Sequence, residues 1–123
     1  MTLTEFLLAR IAEDEAVARD WRHHRGKVSV LGGGTGYEAW CNPARVLAEC
    51  EAKRRIVEQY EFHRDQVTAY RNPRWRDAMN EDDKRNWHQA EARHRVAEDV
   101  ACLLALPYAE HPDMPKDPSQ PEG

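Results

Sequence analysis

Glycine is scarce in this chain, and what there is lies crowded together. Gly32, Gly33, Gly34 and Gly36 fall within five residues, and none occurs between Asn42 and Tyr70. Aromatic residues make up only 8% of the chain while one third of it is charged. That balance suits solvent-facing helices and argues against a β-sandwich. A basic excess is lacking too. The net charge is -4 and the sequence pI about 5.9, so no global positive field recruits nucleic acid. Cysteine is limited to Cys41, Cys50 and Cys102, an odd number without metal-ligand spacing. They read as reduced thiols of a cytoplasmic protein, with Cys50 and Cys102 as small core hydrophobes. Long apolar runs are missing. Met1 to Ala18 hold Glu5, Arg10, Glu13, Asp14 and Glu15, which excludes a signal peptide or a membrane span there. Neither H-E-x-x-H nor C-x-x-C occurs.

What is present is helix. Asn42 to Tyr70 begins with a good cap, because the Asn42 side chain can accept from an otherwise unpaired backbone N–H. Pro43 follows at the first helical position, where its missing N–H costs nothing. Val46, Cys50, Ile56 or Val57, Tyr60, Val67 and Tyr70 recur at three- and four-residue steps and make one apolar stripe. Such a helix spans about 40 Å at 1.5 Å per residue, so a second long helix is expected beside it. Glu49 and Lys53 are four apart with the acid first, the better order for a helical ion pair. They are the expected structural ion pair, since Glu49 borders the stripe and needs a partner if buried.

The flanking segments are read in the same way. Thr2 and Glu5 form a capping-box pattern ahead of a first helix from Leu3 to about His24, with Gly26 as its stop. Residues 27–40 carry β-formers on either side of the glycine cluster and predict a short hairpin leaning on a helix. Asn72-Pro73 ends the second helix. Asn80, with Asp83 at its third position, starts a third that runs to Leu106 and stops at Pro107. Trp87, Ala90, His94, Ala97, Val100 or Ala101, and Leu104 mark its core face, widened by Val96, Val100 and Leu103. The Leu103–Leu106 cluster is the most apolar point of the chain and is expected in the core. The fold class expected is therefore mainly α (α+β): three helices, two of them long and antiparallel, with the hairpin between the first and second. One domain over residues 1–112 and a disordered, proline-rich tail over 113–123 complete the organisation.

Two segments carry a resemblance. NPARVLAECEAKRRIVE runs from Asn42 to Glu58, and LLALPYAEHPD from Leu103 to Asp113. Ala9 to Glu15 precede them in the first helix. In this order they resemble an uncharacterised family of small proteins of actinobacteria such as Streptomyces and of their phages, known only as a domain of unknown function. Its usual patterns are D-P-A-R-V-L-x-E-x-E-A-K-R and L-L-A-L-P-Y-A-D-H-P-D-Y. Here Asn42 and Glu110 stand for aspartates and Met114 for the final tyrosine. The stretch from Phe62 to Asn86 departs from the family pattern. The resemblance implies no activity, substrate, cofactor or catalytic residue.

Three functional readings compete. No catalytic or metal-binding residue is assigned and no cofactor is expected. The leading reading is a non-enzymatic protein-interaction or host-modulating accessory protein, whose partner is a host protein or a second copy of itself. A second is a nucleic-acid-associated protein using Arg71, Arg74, Trp75 and Arg76, cations for phosphate interleaved with a ring for stacking. Against it stands the bland view of a connector whose Trp75 packs down and whose arginines are solvated. A third is a carboxylate-metal hydrolase drawing on Glu13, Asp14, Glu15, Glu49, Glu98 and Asp99. The paired E-x-x-E and E-x-x-D spacing of helical pyrophosphohydrolases is not found, and Glu13 to Glu15 read better as a solvated face.

Overall fold

The computed structural model describes residues 1–28 and 42–116. Four helices occur among them: α1 (Leu3–Val28), α2 (Pro43–Tyr70), α3 (Pro73–Arg76) and α4 (Glu81–Ala105), followed by a 3-10 turn, Leu106–Tyr108. Local chemistry sets their starts. Thr2 Oγ1 accepts from the Glu5 N–H at 3.1 Å. Asn42 Oδ1 accepts from the N–H of Ala44 at 3.0 Å and of Arg45 at 3.4 Å. Asn80 and Asp83 close a reciprocal capping box at 2.8 and 3.2 Å. Each cap satisfies N–H groups that the first turn of a helix leaves open.

No strand occurs among the described residues, so over them the α+β reading gives way to a helical one. Lys27 and Val28, assigned to the hairpin, belong instead to the last turn of α1. The ladder runs through Gly26 because one glycine costs a helix only about 1 kcal/mol. The rest of the expected hairpin, residues 29–40, lies outside the described residues, as do 117–123 of the expected tail.

The chain divides into two compact units, Leu8–Arg54 and Met1–Leu7 with Arg55–Gly123. In the first, Ile11, Ala18 and Cys50 are buried. The Cys50 thiol donates to the Ile11 carbonyl at 3.9 Å, and burial, reinforced by the nearby Asp14 charge, pushes its pKa up. Arg54 grips Glu15 with two hydrogen bonds, one of them Nε to Oε2 at 3.3 Å. That hydrogen bonding holds the Glu15 carboxyl below the usual carboxylate range. Glu15 is therefore a bound residue of a structural pair and not part of a solvated face.

The second unit is built around Leu3, Phe6 and Leu7 of α1, Val57, Tyr60 and Val67 of α2, and Ala90, Ala101 and Ala105 of α4, all buried. The Phe6 ring meets the edges of Tyr108 (6.2 Å) and His111 (5.6 Å), which fastens the segment after α4. Burying such a ring is worth about 2–3 kcal/mol. Thr4 donates to the Glu61 carboxylate. Tyr60 stacks on His94 at 6.0 Å, while Arg71, just past the end of α2, reaches Glu91, earlier on α4. The pairing therefore runs antiparallel, as the short connection between the two helices requires.

The Leu103–Leu106 cluster departs from expectation. Ala105 is buried, but Leu103 is 61% and Leu106 62% exposed. Leu103 lies two residues past Ala101 and so about 200° round the helix from it. Once Ala101 is taken inward, Leu103 must point out.

Candidate functional site

The connection between α2 and α4 forms the most distinctive surface of the described residues. Asn72 caps α3, accepting from the Arg74 N–H at 3.1 Å, with Pro73 at the first position. This short turn lifts Trp75 out, 63% exposed, instead of folding it down. Trp75 then walls an open groove of about 490 Å³ with Ala69, Tyr70, Ala78 and Met79, while Gln66 and Asp83 supply its polar edge.

A bonded network ties the same connection to α4. Arg71 holds Glu91 bidentately, Nε to Oε1 at 3.2 Å and Nη2 to Oε2 at 3.1 Å. Trp87 Nε1 donates to the same Glu91 Oε1 at 3.1 Å. The Arg76 guanidinium sits 5.5 Å above the Trp87 ring, a cation–π contact. Burial pushes the Glu91 pKa up, but the hydrogen bonds from Arg71 and Trp87, with the Arg71 charge, outweigh it and leave the carboxyl lower than usual. Through Arg76 the network joins α3 to α4.

The sequence-derived residues divide accordingly. Arg71 and Arg76 are spent inside the molecule. Arg74 is exposed and makes no side-chain ion pair among the described residues. Trp75 neither packs down nor stands beside three available cations. Acidic residues are close at hand, since Glu81, Asp82 and Asp83 open α4. Glu49 pairs with Arg45, one turn before it, at 3.1 Å, and both lie exposed. The pair expected with Lys53 is not among the ion pairs of the described residues. Glu98 lies 3.7 Å from His94. Among the described residues no group of three or more His, Cys, Asp or Glu side chains is arranged to hold a metal ion. No described helix is long and apolar enough to cross a membrane. Glu91 and Met79 were not singled out in the sequence. Trp87 and Glu91 stand four apart, a helical spacing that brings them together and was the one available signal.

A second surface lies on the outer side of α4. Val96 is 63% and Val100 37% exposed, in line with Leu103. The expected widening of the core face is thus an uncovered stripe.

The family model of DUF6221, a family of unknown function, matches residues 1–116. The chain belongs to this family. The matched span of this DUF6221 member takes in both the groove and the stripe. No curated protein and no solved structure matches it.

Proposed function

We propose that this DUF6221 protein is a non-enzymatic interaction module whose Trp75 groove receives an apolar side chain from a partner protein. The observation that carries the reading is an indole more than half exposed at the wall of an apolar groove. Tryptophan is among the residues that most often anchor protein interfaces, where an apolar pocket takes up a partner's side chain. Asp83 at the groove edge favours a lysine or arginine next to that anchor, while Glu81 and Asp82 beside it already pair with Lys84 and Arg85. We take the partner to be a host protein and the setting to be the bacterial cytoplasm, in keeping with the resemblance to small actinobacterial and actinophage proteins.

The nucleic-acid reading draws on the same loop, but Arg71 and Arg76 already have partners within the molecule. Phosphate binding needs several such cations on one surface. Selection of peptides from a displayed library on the immobilised protein tests the choice. Peptides joining an aromatic or large aliphatic residue to Lys or Arg are expected, with affinity falling at least about tenfold on Trp75→Ala. Peptides indifferent to Trp75→Ala would contradict the reading. Single-stranded DNA binding at low salt that is lost in the same variant would favour the nucleic-acid alternative.

A further inference from the structure

We propose that the outward stripe of α4 is a two-fold interface with a second copy of this chain, the two helices lying antiparallel. The inference is independent of the groove. Ala92, Val96, Val100 and Leu103 follow one another at steps of four, four and three, and all are exposed. Leu106 extends the line just past the helix. Apolar side chains lined up on one exposed face mark an interaction site more often than the same residues scattered singly.

The charges beside the stripe say what covers it. Arg95 and Asp99 are exposed, four apart on the same flank, and neither makes an ion pair or hydrogen bond among the described residues. A two-fold contact requires a surface that is complementary to itself. This one is. Arg95 with Asp99, Val96 with Val100, and Ala92 with Leu103 are three pairs centred on residues 97–98. Turning a second α4 end over end about that centre sets Arg95 against the partner copy's Asp99, and Asp99 against its Arg95. The same rotation sets Val96 against Val100 and the small Ala92 against the large Leu103. A parallel two-fold pair would turn the flank of Arg95 and Asp99 toward the partner copy's opposite flank and bring neither charge against its complement. An unrelated apolar partner would leave the symmetry of the flank unused.

Sedimentation equilibrium on the full chain, at low ionic strength, tests the pairing through charge exchange. The wild type is expected to dimerise reversibly. Arg95→Asp places like charges in both reciprocal contacts and is expected to raise the dissociation constant at least about tenfold. Arg95→Asp combined with Asp99→Arg restores opposite charges and is expected to return it to within about threefold of wild type. Val96→Glu, at the centre of the stripe, abolishes the dimer. All these positions are exposed, and an unchanged helical circular dichroism signal identifies variants that fold. A wild type that stays monomeric at every concentration overturns the proposal. So does an Arg95→Asp variant that dimerises as the wild type does, or a double exchange that fails to rescue.

Discussion

The inward face of α4 carries Ala90, Ala101 and Ala105, whereas its outward face carries Val96, Val100 and Leu103. The apolar residues buried on this helix are all alanines, while two valines and a leucine stay exposed. A helix serving only the core of one molecule would be arranged the other way, because burial gains most from the largest side chains. Alanines inside let neighbouring backbone come close, and the ring of Tyr60 then stacks on His94 in the same unit. Valines and a leucine outside have their burial still to gain. Size and burial are decoupled along one helix, and the outer face is where a further surface is wanted.

Substitution of either face should reproduce this contrast. Ala101 has no exposed area, so Ala101→Glu forces an unpaired carboxylate into the core and is expected to cost about 4 kcal/mol or more. Chemical denaturation measures it, and a small loss would break the contrast. Ala105→Leu overfills the same face and is expected to cost about 1–3 kcal/mol by the same assay.

The next effect concerns pH. The Glu91 pKa is lowered in the folded chain, so its stabilisation is fully present above the ordinary carboxylate value of 4.5. It is lost as pH falls through the lowered folded value. Glu91→Gln should flatten that part of the stability curve and cost about 1 kcal/mol at neutral pH, because more than half of Arg71 is exposed and water screens the pair. A curve that keeps its acid slope in Glu91→Gln would remove this pair from the bracing of α4. Asn80→Ala deletes the cap of α4 and is expected to cost about 1 kcal/mol, read as a lower melting temperature. On the outward face, Val96→Ala is expected to change the stability of the single chain by no more than about 0.5 kcal/mol, measured at high dilution.

How much of this was legible in the sequence follows from the range of each interaction. Asn42, Asn80 and Asp83 act within three residues, and their caps are as the spacing reads. Helical period places Ala90 on the inner face of α4 and leaves Val100 or Ala101 open there; Ala101 is the one buried. Equating valine and leucine with core misplaces the outer face, because Leu103 and Ala101 cannot both face inward. Arg71 and Arg76 looked like free cations because Glu91 and Trp87, which engage them, lie 20 and 11 residues on and meet them only through the antiparallel return. The view of Trp75 as packed down fails because nothing local shows that a four-residue helix capped by Asn72 will hold it out.

The pairing of two α4 helices is reached most directly by double electron–electron resonance on a spin label carried by a non-canonical residue at Arg85, an exposed position before the stripe. Antiparallel helices centred on residues 97–98 put the two labels about 40 Å apart, at 1.5 Å per residue. Labels about 10 Å apart, the spacing of parallel neighbours, or no dipolar coupling between copies at any concentration, would contradict it.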